Sequence, residues 1–432
     1  MGSIWEKDVK RNEFGSLGGK EKTDVLIVGG GIAGILCAKF LCEAGVGCKL
    51  VEAKRICSGI TKKTTAKISV LHGVIYSKLI KRYGQDYARG YLAAQLYARK
   101  KYAEMCRRID CDYESLDSYV YSLSDKRKIE DELLALKSLG IGAALSDTPR
   151  LPINPVAALR LSGEAQFNPL KFLYAVARDL PIYENTRVRE ILPGRAITDS
   201  GEISYKKIII ASHFPFINKY GGYFIKMYQH RSYVLVLSGV PNVHGMYIDE
   251  NERGLSFRSY GEYLLLGGGA HRTGKSGGCW RELEEFARKY YPGAITVGRF
   301  ATQDCMTLDG VPYIGQYSKS TPDMYVATGF NKWGMTSSMV AAKLISDIIL
   351  NGRGKYSSVF SPQRSVFHPQ LAINTFESVK GLLTPTVPRC SHLGCALKYN
   401  SAEHSWDCAC HGSRFTERGE LIDNPATDGK KT

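Results

Sequence analysis

Cys390-Ser-His392 and Cys408-Ala-Cys410-His411 stand near the C-terminus, with fifteen residues between His392 and Cys408. Thiolate and neutral imidazole are ligands for transition metals. Each segment supplies one of each within a single loop, so two facing loops could hold one metal centre. A structural zinc site uses two Cys and two His on one tetrahedral ion. A [2Fe–2S] centre can use the same four, thiolates on one iron and imidazoles on the other. Zinc spacings more often pair Cys with Cys and His with His; here each segment mixes them. The second cysteine of each segment, Cys395 and Cys410, is surplus to a four-ligand set.

The runs CSHLGC from Cys390 and CACHGSRF from Cys408 resemble the Rieske iron–sulfur family. The resemblance implies that Cys390, His392, Cys408 and His411 hold one [2Fe–2S] cluster. It also implies a disulfide between Cys395 and Cys410 that clamps the two loops. The strands that precede the first loop in that family are not recognisable before Cys390. A piece this small builds little core by itself and must lean on the rest of the chain.

At the other end, residues 24–52 read DVLIVGGGIAGILCAKFLCEAGVGCKLVE. A short apolar run ends in Gly29-x-Gly31-x-x-Gly34, a helical pattern follows, and a second apolar run ends in Glu52. This is the βαβ dinucleotide fingerprint in its required context. Gly29 serves the tight turn, Gly31 admits a pyrophosphate and Gly34 lets helix and strand pack closely. The helix N-terminus offers free N–H groups to phosphate. Glu52 suits ribose hydroxyls and repels a 2′-phosphate.

Later segments choose among dinucleotides. A Thr-rich loop containing Thr64 follows Glu52, and Thr307-Leu-Asp309-Gly-Val-Pro312 precedes the run from Met324 to Thr336. Together with Gln166-Phe-Asn-Pro169 and Glu184-Asn-Thr-Arg-Val188, these resemble the D-amino-acid-oxidase-like FAD family, over roughly residues 22–352. The resemblance implies FAD, with Thr64 and the backbone of Val188 against it and the turn of Gly329, Lys332, Gly334, Met335 and Thr336 closing over the flavin. A helix starting near Gly334 would aim its positive end at the ring, with Lys332 adding charge. Substrates of that family are usually amines or amino acids. Arg is the geometric partner for a carboxylate, which makes Arg231, Arg258 and Arg272 the substrate candidates; no catalytic base is assigned.

The fold expected is α/β: a Rossmann-like FAD domain interleaved with an antiparallel substrate sheet, plus a small C-terminal β domain. The flavoprotein spans 1–354, with dinucleotide parts at about 22–75, 155–215 and 297–352 and substrate parts at about 76–154 and 216–296. A linker at 355–384 leads to the cluster domain at 385–432. The polar-amphipathic stretch from Tyr76 to Arg108 reads as one long helix or a pair, its tyrosines as packing. Residues 267–274, GGGAHRTG, read as a flexible turn near the ligand.

The composition is that of a globular protein, 44% hydrophobic and 23% charged. No apolar run is long enough to span a membrane, and no signal peptide is recognisable; the expected location is the cytoplasm. A net charge of +16 without aromatic-interleaved basic runs argues against nucleic acid. The expected activity is FAD-dependent oxidation of an amine or amino-acid-like substrate, with electrons exchanged through the cluster to a separate protein. Two rivals stand beside it: an oxidase using oxygen with the cluster domain as a prop, and a flavin-bound redox sensor without turnover.

Overall fold

A computed structural model describes residues 3–431 apart from 8 and 149; the outermost residues of the expected domains, 1, 2 and 432, lie outside the described residues. Val25–Val28, buried on both faces, forms the end of the strand Gly19–Val28, which lies between Cys48–Val51 and Gly201–Ile210 with all three parallel. Met324–Thr328 extends the sheet in parallel, and Tyr313–Gln316 closes that edge antiparallel. The helices Ile32–Glu43 and Gly334–Asn351 pack against each other over this sheet. Their inward residues, among them Ile35, Leu36, Met339 and Leu344, are buried in the largest core.

The second sheet has the strand order Ile295–Thr307, Met227–Ser238, Tyr263–Arg272, Ser256–Tyr260, Met246–Asp249, Glu114–Ser122, Ala157–Gln166 and Lys67–Ile68. It is antiparallel except where Met246–Asp249 runs parallel to Glu114–Ser122. Residues 267–272 belong to one of its strands and are not a turn. The glycines there serve a crossing helix: a Cβ on Gly269 would lie 2.1 Å from the carbonyl oxygen of Cys279, where the helix Cys279–Tyr290 begins. The stretch from Tyr76 forms two helices, Ile75–Tyr83 and Gln85–Cys106, split at Gly84, whose φ of +87° suits glycine. Tyr76, Tyr91 and Tyr102 are buried in the core.

A third sheet is a four-stranded antiparallel meander, Leu397–Asn400, Ser405–Cys408, Arg414–Thr416 and Leu421–Asp423. It follows the helix Pro369–Leu383, and no strand lies between 361 and 389. Among the described residues no helix is long and apolar enough to cross a membrane.

Gly34 sits where the first helix presses on its strand. A Cβ there would stand 1.9 Å from the carbonyl oxygen of Gly29. Gly34→Ala is expected to cost about 1–3 kcal/mol through the forced backbone shift, read as a lower urea midpoint with an unchanged m-value.

Candidate functional site

The loops after Cys390 and Cys408 meet at the end of the small sheet. His392 Nδ1 and His411 Nδ1 face each other at 3.3 Å. The Cys390 and Cys408 thiols are neighbours, as are those of Cys395 and Cys410. Cys395, Cys408 and Cys410 also converge so that their sulfurs lie within 4.8 Å of one another. The expected ligands therefore fall into a sulfur pair and an imidazole pair. Burial holds His392 down to about 4 and His411 down to about 3, so both rings are neutral and able to ligate. All twelve cysteines are unbonded in this structure. Gly381, on the helix Pro369–Leu383, leaves room for Cys410, since a Cβ there would meet its sulfur at 2.5 Å.

The cluster loops rest on the second sheet. Gln229 donates to the carbonyls of His411 and Asn424 at 2.9 and 2.8 Å, and Gln303 donates to that of Gly412 at 2.9 Å. Gly412, with φ +87°, is pressed against Gln229, which a Cβ would meet at 2.5 Å. His392 Nε2 pairs with Asn218 Oδ1 at 2.9 Å, and the His411 ring stands edge-on to Phe224.

Two of the three expected substrate arginines take part in this contact. Arg231 forms a two-pronged ion pair with Glu403, which also accepts from Tyr233 and from Arg414. Arg272 donates to the carbonyls of Ala409 and Cys410 at 3.0 and 3.2 Å. Neither lines the large cavity. Arg258 is fully buried and bonded to Gln166 and to the carbonyls of Thr65 and Phe167.

That cavity, of about 920 Å³, is at the upper end of cofactor and ligand sites. Gly29, Gly31 and Glu52 line one end, and Gly329, Lys332, Gly334 and Met335 another; Thr64 and Val188 also line it. Thr336 does not; it is buried and in contact with His72 Nε2 at 3.2 Å. Gly29 has a φ of +114°, and a Cβ there would come within 2.5 Å of the Ala211 carbonyl oxygen. Neither the helix starting at Ile32 nor that starting at Gly334 has a side-chain cap, and both open into the cavity. The N–H of Ile32 donates to Thr61 Oγ1 at 3.1 Å; the positive ends of the two helices and the glycine cradle fit a phosphate-bearing dinucleotide with an electron-rich ring. Glu52 accepts from the backbone N–H groups of Gly30 and Lys54, at 2.7 and 2.9 Å. Burial raises its carboxyl, against the pull of those two N–H groups.

Several groups here were not singled out from sequence. Trp5 is buried and donates to the carbonyl of Thr64 at 2.8 Å, pinning the Thr-rich loop. His72 stacks on Trp333 at 4.3 Å, and both line the cavity. Leu421 to Asn424 of the small sheet also line it, and Asn424 is held by the carbonyls of Ser212 and Phe214, each at 2.7 Å. A Trp or His alone in a loop carries no sequence signal, and nothing local says that a C-terminal strand reaches the front of the chain.

The sequence model of the family described as FAD dependent oxidoreductase matches residues 24–348, and that of the Rieske [2Fe-2S] domain matches 361–432. The YhfW protein of Bacillus subtilis (strain 168), named as a Rieske 2Fe-2S iron–sulfur protein, is 33% identical over 98% of this chain and 96% of its own. Among solved structures, L-proline dehydrogenase from P. horikoshii superposes with a TM-score of 0.68 at 16% identity, over 80% of this chain and 98% of that one. Glycine oxidase from Geobacillus kaustophilus gives 0.67 at 18% identity, over 80% and 99%. At these identities the structures speak for the fold alone.

Burial opposes charge on Glu403, but Arg231 and Arg414 outweigh it and hold the carboxyl below its ordinary 4.5. Asp423, buried beside Arg414, is likewise held below 3.8. Lowered carboxyls stabilise the folded state fully above their ordinary values, and the contribution is lost as pH falls through the folded ones. Proteolysis within residues 384–389 should therefore be flat from about pH 6 to 8 and rise on acidification below about 4.5. Glu403→Ala leaves Arg231 facing no carboxylate and is expected to cost about 3–5 kcal/mol, with cleavage at neutral pH as the readout.

Proposed function

Because the chain belongs to the FAD-dependent oxidoreductase family and carries a Rieske [2Fe–2S] domain, we propose that it oxidises an amine or amino-acid-like substrate and passes the electrons to the cluster. In this reading residues 1–354 form the flavoprotein, 355–384 the linker and 385–432 the cluster domain. FAD, held at Gly29, Gly31, Glu52, Thr64, Val188 and the turn from Gly329 to Met335, with Gly34 and Thr336 placing the two helices behind it, supplies acceptance of a hydride from carbon, and the cluster supplies one-electron transfer. Cys390, His392, Cys408 and His411 are the cluster ligands; Cys395 and Cys410 bond to clamp the loops. A separate protein exchanges electrons with the cluster.

One observation carries the reading. Side chains alternate across a strand. On the strands Met227–Ser238 and Ile295–Thr307, Gln229 and Gln303 hold the cluster loop, while Tyr228, Thr302 and Asp304 line the cavity. The same two strands thus carry both the cavity wall and the support of the His411 loop, and the small sheet reaches the cavity directly through Leu421 to Asn424. The amino-acid oxidase and dehydrogenase neighbours support the substrate class.

The measurement is an anaerobic titration of holoprotein with candidate amines, following flavin bleaching and low-temperature EPR together. Bleaching accompanied by the rhombic signal of the reduced centre supports the reading. Bleaching with a cluster that stays oxidised assigns the chain to the oxygen-using class. His411→Ala should lose the EPR signal and keep FAD, whereas Gly31→Val should lose FAD, released on denaturation of the parent, and keep the signal. Stoichiometric zinc without acid-labile sulfide after reconstitution defeats the cluster assignment.

A further inference from the structure

The substrate side of the cavity offers no free arginine. Arg231 is paired with Glu403 through Nε and Nη2, leaving Nη1 buried and unpartnered, Arg272 is bound to the cluster loop, and Arg258 to backbone carbonyls under the Thr-rich loop; none of the three lines the cavity. The arginines that line the cavity, Arg187 and Arg189, stand beside Val188, at the Glu52 end, and Arg189 is paired with Asp199. Two of the lysines that line the cavity beside Asp304 and the second sheet are tethered. Lys332 Nζ donates to the carbonyl of Glu252 at 3.1 Å, and Lys67 Nζ to that of Tyr247 at 3.2 Å.

Carboxylates, in contrast, are plentiful on this wall: Asp249, Glu250, Glu252 and Asp304 all line it. Three of them are accounted for or peripheral. Asp249 accepts from the N–H of Asn251, Glu250 is ion-paired with Lys128, and Glu252 lies on the turn that Lys332 grips. Asp304 differs. It projects from the middle of the strand Ile295–Thr307 into the cavity, and no hydrogen bond or close ion pair to it is found among the described residues. Its nearest electrostatic neighbours are Lys332 and Arg231, neither within ion-pair distance. The residue after it, Cys305, accepts from the N–H of Asn331 at 3.1 Å, which fixes Asp304 beside the turn leading to Gly334. Asp304 is half-buried on the cavity wall, and a carboxylate partly withdrawn from water without a partner is costly. Burial pushes Asp304 up to about 6, which expresses that cost. A ligand cation would remove it.

We propose that Asp304 is the substrate-binding residue that receives the ammonium group, so that this site selects amines as cations and requires no carboxylate on the substrate. The inference rests on the functional reading above and narrows it. A nitrogen held by Asp304 lies next to the turn of Gly329 to Gly334, where that reading seats the reactive ring. Once that ammonium has given its extra proton to Asp304, the nitrogen has its lone pair and the carbon bearing it is the one presented for oxidation.

The test is equilibrium binding, without turnover, to FAD-loaded full-length protein by titration calorimetry. The probes are n-butylammonium and butyrate, matched in size and opposite in charge. Butylammonium should bind at least about tenfold more tightly than butyrate. Asp304→Asn should weaken butylammonium by about tenfold to a hundredfold, the range for one charge-assisted hydrogen bond. Asp304→Glu should stay within a few-fold of the parent, and both variants should retain FAD, which excludes loss of folding as the cause. Butyrate binding as tightly as butylammonium, failure of butylammonium to bind, or an unchanged affinity in Asp304→Asn each overturns the proposal. Reduction of the cluster by an amine in the anaerobic titration is read separately. A protein that passes that test and fails this one keeps its activity and loses only the role given to Asp304.

Discussion

Glu403 is shared by Arg231, from the substrate sheet, and Arg414, from the small sheet, and this buried triad ties the two units together. The small sheet cannot do without it. Its buried apolar cluster is Cys390, Cys395, Leu397, Cys408, Cys410, Phe415 and Ala426. Four of those seven are cysteines with chemistry to perform, which leaves Leu397, Phe415 and Ala426 as ordinary core. At about 25 cal/mol per Å² such a core does not offset the chain entropy of the segment. The remainder comes from contact with the flavoprotein, and that contact is polar. A buried ion pair adds little net stability, but removing one partner is expensive. The triad therefore acts on geometry: it admits one seating of the cluster loops on the sheet and penalises the others.

The seating matters because the sheet is a partition. Its alternation sends Gln229, Arg231 and Gln303 to the cluster side and Tyr228, Ser232, Thr302 and Asp304 to the cavity side. One layer of backbone thus carries both a cluster support and a cavity wall. In the proposed function this keeps the electron route short, since the same strands carry the cavity wall and the cluster support. It also turns Arg231 away from the cavity; Arg272, on the face of Tyr228, is instead held by the carbonyls of Ala409 and Cys410.

How far the sequence revealed this differs from residue to residue. The Cys–His loops and the glycine fingerprint were legible because each chemistry demands residue types at fixed short spacings. The second sheet was legible as strands, since alternation is local. The orientation of Arg231 was not, because it depends on register. The ladder shifts between Arg231 and Tyr233, a bulge that no pattern in the strand announces. The glycines at 267–269 read as a turn, although they are strand residues cleared for a helix that arrives ten residues later. Residues 110–150 alternate too weakly to place, yet they form a strand and a helix, Glu114–Ser122 and Lys126–Ser138, through long-range pairing. Asp304 looked like any polar strand residue; its lack of a partner exists only in three dimensions.

The cavity wall has one further consequence. Leu421 to Asn424 belong to the small sheet and line the same cavity as Gly29 and Glu52. Asn424 is fixed by carbonyls of the dinucleotide unit and by Gln229 of the substrate sheet. The cavity is therefore complete only when the cluster domain is seated. A ligand that prefers the complete cavity must favour the seated state by the same free energy with which seating favours the ligand. Cluster binding orders the loops at the other end of the same small sheet, so it enters this linkage too. The two redox sites are thus coupled through the position of one polar, weakly cored unit. That coupling requires no movement of the flavoprotein, only a seat whose geometry Glu403 dictates.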